Sequence, residues 1–237
     1  MSTPRWKQLS RYSACDIADA LLKLKVPGAG FLADLTPIPH PASRPNIELR
    51  KTLGPASTFL FVPKATPSFP SPAPMLTDTP PSNVEDNTPF SDYTQGDTIV
   101  LVSQPAGQSC AVVGGIMGAR MKVLGAQSII VNGRVRDLEA LGGLGLPVWS
   151  KGTSIIGMGA EAKFHAKEVA IRIGDVSVEP GDIVMVDPFE NGVVVVPKGR
   201  VDEVLGMLPG MVEADERVIK DVEAGTGVKE AFKKHRT

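Results

Sequence analysis

Apolar side chains recur at two different periods along the chain, and the change of period divides it into regions. In "YSACDIADALLKL", Ile17, Ala20, Leu21 and Leu24 follow helical spacing, with Ser13 in position to cap the helix start. Pro27-Gly28 ends that helix. "LRKTLGPASTFLFVPK" alternates and then runs apolar, and its β-branched and aromatic residues predict a strand. From residue 96 the order is strand, helix, strand: "DTIVLVS", "AVVGGIMGARMKVLGA" and "SIIVNG". Apolar strands on both sides of a helix predict a βαβ unit with parallel pairing, so the fold class is α/β. Beyond it, "LPVWSKG", "EVAIRIGDVSVEPGDIVMVDP" and "GVVVVPKG" are short strands divided by Gly, Asp and Pro turns. They predict a β-rich sandwich or barrel packed on the first unit. The tail from Val201 reads as amphipathic helix with a charged outer face, suited to covering the core or a neighbouring subunit.

Residues 63–95 interrupt this pattern. They hold eight of the 21 prolines and little apolar periodicity, which predicts a surface insertion without regular elements. The strand that resumes at once needs the earlier part of the chain to complete a sheet, so the insertion is not a linker and residues 1–237 read as a single domain. A chain of 237 residues with 42% hydrophobic content can bury a substantial core.

Charge and cysteine content narrow the function classes. Lys and Arg total 25 against 26 Asp and Glu, with no dense basic block, so the chain lacks the footprint of a nucleic-acid or anionic-membrane binder. Cys15 and Cys110 lack a CxxC or zinc-like spacing and fit free thiols in a reducing compartment. No stretch approaches the roughly 20 apolar residues of a membrane span, and the N-terminus has no signal-like apolar core. These features predict a soluble, cytoplasmic protein.

Two stretches carry candidate chemistry. "GGIMGAR", Gly114 to Arg120, lies at a turn into a helix, where glycines allow close approach and free N–H groups favour an anion. It lacks the Gly-Lys-Ser/Thr ending of a P-loop. Local sequence leaves open whether these glycines serve a ligand or only tight helix–strand packing. "IIVNGRVRDLEAL" sets Arg136 and Asp137 directly after a strand. Asp137 can simply cap a short helix, with Arg136 in solvent. Against that, the carboxyl ends of strands in an α/β unit are where ligands bind. The twenty residues between Gly115 and Arg136 span one helix and one strand, which brings both to the same sheet edge. A carboxylate there can hold Mg²⁺, with water and substrate completing the shell.

Other signals are weaker. Gly157, Gly159 and Ala162 match a dinucleotide-type GxGxxG/A spacing after a very short apolar run. His40, His165 and His235 form no metal spacing, and no GxSxG or Cys/His arrangement suggests an acyl enzyme. Lys122, near the glycine turn, is read as a solvated helix-face lysine rather than a Schiff base.

"GGIMGARMKVLGAQSIIVNGRVRDLEALGGLGLPVWSKG", followed by "VSVEPGDIVMVDPFENGVVVVPK", resembles the RraA-like family, which includes 4-hydroxy-4-methyl-2-oxoglutarate aldolases and oxaloacetate decarboxylases. The family motif, a glycine or aspartate followed after twenty residues by Arg-Asp, is matched by Gly115, Arg136 and Asp137. The resemblance implies an α/β/β sandwich like the swivelling phosphohistidine-type domain, with C-terminal helices, assembled as a homotrimer or hexamer with sites between subunits. It implies metal-dependent cleavage or decarboxylation of small 2-oxo diacids through a pyruvate enolate. In that scheme the amides of Gly114, Gly115, Ile116, Met117 and Gly118 hold the substrate carboxylate, and Asp137 anchors Mg²⁺ or Mn²⁺. Arg136 stabilises the enolate oxygen. The family's aldolases carry an aspartate where this chain has Gly115, so decarboxylation, which needs no base for a hydroxyl proton, is easier to support. Glu139 lies one place closer to the pair than the usual acid, and a neighbouring subunit is expected to supply another, with Asp187 and Glu190 as candidates. The family also contains non-catalytic regulators that bind RNase E, and the insertion could adapt the site to a larger substrate.

Overall fold

The computed structural model describes residues 3–38, 50–70, 79–85 and 87–236. His40 lies outside the described residues. The first helix, α1 (Ala14–Lys23), starts at the predicted cap. Ser13 accepts from the Asp16 N–H and Asp16 reciprocates to the Ser13 N–H, a capping box that satisfies two otherwise unpaired donors. Strands β1 (Thr36–Ile38), β2 (Thr52–Pro63) and β3 (Ile99–Ser103) follow, then α2 (Gly115–Val123), β4 (Ser128–Val135), α3 (Leu138–Gly143) and β5 (Val148–Thr153). The chain continues with β6 (Ala162–Lys167), β7 (Ile171–Ile173), β8 (Val176–Val178), β9 (Ile183–Asp187) and β10 (Gly192–Val196). It closes with α4 (Val201–Glu223) and α5 (Val228–His235).

The described strands other than β7 and β8 form a mixed sheet in the order β1-β5-β4-β3-β2-β9-β10, with β6 pairing β2. The predicted βαβ unit is present, because β3 and β4 pair in parallel around α2. The parallel set is larger than its sequence suggested. β5 pairs in parallel with β4 across α3, and β2 with β3, so "LPVWSKG" belongs to the α/β half rather than to a separate β-rich one. Nor is the second half a layer of its own. The twelve-residue β2 pairs with β9 through Thr52–Pro55 and with β3 through Ala56–Leu60, which makes the two halves one sheet.

Burial explains why the sequence pattern worked where it did. On β3, Ile99 and Leu101 enter one core cluster and Val100 and Val102 another, so both faces are covered and the strand reads as a continuous apolar run. A third cluster seats α1 and α4 on β9 and β10. The Pro-rich insertion is not wholly on the surface. Phe90 is 1% exposed and stands edge-on to Phe61 at 5.1 Å between ring centres. Ser91 donates to the Met117 sulfur and Asp92 pairs with Arg120 at 2.6 Å, so the end of the insertion is fastened to α2. No helix among the described residues is long and apolar enough to cross a membrane.

Candidate active site

The carboxyl ends of β3, β4 and β5 lie at one edge of the sheet, and the two stretches singled out above meet there. Parallel bridges join Val113 to Val135 and Ala111 to Gly157, and the Arg136 N–H donates to the Val113 carbonyl at 3.0 Å. Gly114 is the N-cap of α2 and supplies no side-chain bond. The reason for glycine is space: a Cβ at Gly114 would lie 2.7 Å from Asp137 Oδ2 and 3.2 Å from Arg136 Cγ.

Asp137 occupies the N-cap position of α3, and its carbonyl accepts from the Leu141 N–H, yet its side chain makes no cap bond there. Its backbone is left-handed, at φ 57° and ψ 51°, a conformation uncommon for a non-glycine residue and concentrated at functional sites. The turn aims the carboxylate back at the other helix, where Oδ2 accepts from the Gly115 N–H at 3.0 Å. A negative charge is thereby set at the N-terminus of α2. The simple reading of Asp137 as the cap of its own helix is corrected by this geometry.

Of the five residues expected to line an anion turn, Gly115 gives its N–H to Asp137 and Gly118 gives its N–H to the Gly114 carbonyl. The Ile116 and Met117 amides remain as the first-turn donors that a helix cannot satisfy internally. Arg136 is held beside them. Its Nε stands 3.8 Å from Asp137 Oδ2, a loose ion pair with both side chains nearly half exposed, so the guanidinium is not consumed by its neighbour. Gly157 forms the floor beneath it: a Cβ there would sit 3.0 Å from Arg136 Nη1. This is what the dinucleotide-like spacing does. It leads into a single 3-10 turn and then β6, with no helix to receive a pyrophosphate, so the dinucleotide reading fails.

Among the described residues a metal would find Asp137 here, with Glu139 lining the same surface depression. Asp137 is nearly half exposed and has one oxygen on Gly115, and among the described residues no group of three or more His, Cys, Asp and Glu side chains converges. That donor set fits Mg²⁺, which keeps several waters and takes few protein ligands, and does not fit a closed zinc site. Asp187 is not free to complete it: the side chain is fully buried and accepts from the Ala14 and Phe189 N–H groups and from Lys51. Glu190 is exposed and accepts from the Cys15 thiol. Burial first, and then Glu190, pushes the Cys15 thiol up from its ordinary value, while burial raises Cys110, so neither is an activated nucleophile. Lys122 donates to the Leu144 carbonyl, His165 bonds the Pro80 carbonyl and His235 bonds Asp221.

Gly115 is closed to a side chain by the fold. A Cβ would meet the Ala140 Cβ at 2.7 Å, so the glycine is part of the close contact between α2 and α3. Sequence inspection missed this contact, and it missed Gly157 as the support of Arg136. The signal available for Gly157 was only a glycine after an apolar run, which is not specific.

A glycine-cradled Arg-Asp pair thus stands at the carboxyl edge of the parallel strands of a mixed α/β protein. The family model described as RraA-like, Aldolase/RraA, matches residues 14–195, and the chain belongs to that family. It is 33% identical over 135 residues to a Halalkalibacterium halodurans protein named "Putative 4-hydroxy-4-methyl-2-oxoglutarate aldolase", covering 55% of this chain and 61% of that one. It is 25% identical over 229 residues to Protein DlpA of Legionella pneumophila, covering 95% of this chain but 32% of that protein. The chain thus spans less than two thirds of the length of these relatives. Among solved structures, an uncharacterized protein from Pseudomonas syringae superposes with a TM-score of 0.70 at 19% identity, covering 97% of this chain and 99% of that one. Streptomyces coelicolor RraAS2, titled an unusual member of the RNase ES inhibitor RraA protein family, gives 0.67 at 23%, covering 91% and 97%. These likenesses establish the fold.

Proposed function

We propose that the chain is a divalent-metal-dependent carbon–carbon lyase on small 2-oxo diacids. Its reactions are decarboxylation of oxaloacetate and retro-aldol cleavage of 4-hydroxy-4-methyl-2-oxoglutarate, both through the enolate of pyruvate. The observation that carries this reading is the convergence of three things within one sheet edge: the Arg136 guanidinium, the Asp137 carboxylate and the unpaired amides of Ile116 and Met117. Those amides and the α2 N-terminus bind the substrate carboxylate. Asp137 holds Mg²⁺ or Mn²⁺, which when bound acts as a Lewis acid on the 2-oxo group.

Arg136 faces the oxygen on which charge develops as the carbon–carbon bond breaks. In decarboxylation the C3–C4 electron pair moves into the 2-oxo system, CO₂ departs, and the enolate is later protonated at C3. A fixed donor at such an oxygen contributes about 2.7–4 kcal/mol to lowering the barrier. With Gly115 in place of an aspartate, no acid of α2 stands ready to remove a hydroxyl proton, so decarboxylation is the favoured of the two reactions. A cytoplasmic homotrimer or hexamer, in which a neighbour's acid completes the site, belongs to the same reading.

The test is pyruvate release from each substrate with Mg²⁺ and with EDTA, corrected for the rate without protein. Metal-dependent release supports the lyase. No release from either, with an intact fold, sinks it and leaves a non-catalytic binding role.

A further inference from the structure

A second feature of the same sheet edge is not used by that chemistry. Beside the glycine turn, Gln104 to Ser109, Asn132 to Arg134 and Lys151 enclose a cleft of about 310 Å³. Among the described residues its charged lining is Arg134 and Lys151, with no carboxylate side chain. No ion pair engages either cation among the described residues, whereas Arg5, Arg120, Arg200, Arg217 and Arg236 each have a carboxylate partner.

The cleft is braced from behind. Gln104, 5% exposed, accepts from the Arg134 N–H at 2.8 Å and donates to the Cys110 carbonyl at 2.8 Å. It fits because residue 133 is glycine: a Cβ there would lie 2.1 Å from Gln104 Oε1. Glu161, 1% exposed, takes the Ser109 and Cys110 N–H groups on one oxygen, while its other oxygen is buried without a partner. Burying such polar groups costs stability, and the return is a rigid wall. The Arg134 guanidinium is aimed by two carbonyls, Nε to Gln108 at 3.3 Å and Nη1 to Thr153 at 3.0 Å, so its remaining donors are held in one orientation. A pre-oriented guanidinium beside an unpaired ammonium recognises an oxyanion.

We propose that this cleft is an anion subsite that holds a carboxylate or phosphate group of the substrate lying beyond the reacting 2-oxo acid end. The identity of the reacting end rests on the lyase reading; the binding of the anion does not. Arg134 lies at the end of β4 and Arg136 directly after it, so the cleft and the Arg-Asp pair share one sheet edge.

The test has two arms. Succinate and inorganic phosphate are titrated into the full, metal-free chain while backbone amide NMR signals are followed. The expected result is saturable shifts at Gly107, Gln108 and Lys151, and a dissociation constant at least tenfold weaker in Lys151→Glu. Unmoved amides with both anions, or wild-type affinity in Lys151→Glu, would falsify the subsite. In the second arm, phosphate raises the apparent KM for oxaloacetate without lowering kcat, and Lys151→Glu abolishes that effect. Phosphate that binds the cleft yet leaves KM unchanged assigns it to a free oxyanion and overturns the link to substrate. Absence of turnover, with binding as expected, rejects the lyase reading alone.

Discussion

Among the carboxylates that sit beside a basic side chain, Asp187 and Asp137 behave oppositely. Asp187 is fully buried, 3.2 Å from Lys51, and receives two backbone N–H groups as well. Asp137 is nearly half exposed, 3.8 Å from its arginine, and receives one. The first is satisfied on all sides, so it ties α1 to the end of β9 and has nothing to offer a ligand. The second is set by a left-handed backbone at the mouth of a helix. Proximity of opposite charges therefore does not mark a site. Incomplete satisfaction on a rigid frame is what separates the two.

Removing Asp187 gives the largest effect. Asp187→Ala leaves the partly buried Lys51 ammonium without its counter-charge, though still bonded to the Tyr12 carbonyl, and two N–H groups unpaired, and is expected to lower unfolding free energy by about 3–5 kcal/mol in urea titration. A loss under about 1 kcal/mol would erase the contrast. Arg136→Ala is the converse: turnover falls about 10²–10³-fold while stability stays within about 0.5 kcal/mol of the parent. Asp137→Ala removes the stimulation by Mg²⁺ and also costs about 1 kcal/mol of stability through the lost Gly115 N–H bond. Normal turnover in either variant, measured as pyruvate release, removes the pair from the site.

A finer prediction concerns the helix contact that frames the site. Gly115→Asp is expected to cost about 1–3 kcal/mol by overpacking against Ala140, and Ala140→Gly in the same chain to restore most of it. Equal stability of the single and double variants would show that α2 and α3 separate freely. The smallest effect lies far away, at Asp221. Lys234, and then His235, hold its carboxyl below the ordinary value, so its contribution is present above the ordinary carboxylate range and is lost as pH falls through its lowered value. Asp221→Asn should flatten the acid limb of the melting temperature against pH. An unchanged limb would place acid sensitivity elsewhere.

How far the sequence could be read depended on how local the cause was. The α1 cap was legible because Ser13 and Asp16 are three residues apart and bond each other directly. The βαβ unit was legible because a strand covered on both faces must be apolar throughout, as β3 is. β5 was misassigned because α3 is a six-residue helix, too short to announce a crossover. Phe90 was lost in a proline-rich stretch since its partners, Phe59, Phe61 and Phe164, lie far along the chain.

The sequence by itself determined the periods, the capped helix, the Gly115, Arg136 and Asp137 spacing and the family. What the tertiary structure decided is which oxygen of Asp137 is engaged, that Gly157 supports Arg136, that Asp187 is spent on the fold, and that Arg134 and Lys151 face one cleft. The division has a physical cause. Periodicity and capping follow from backbone geometry a few residues long, whereas satisfaction of a charge depends on every group that folding brings within hydrogen-bond reach.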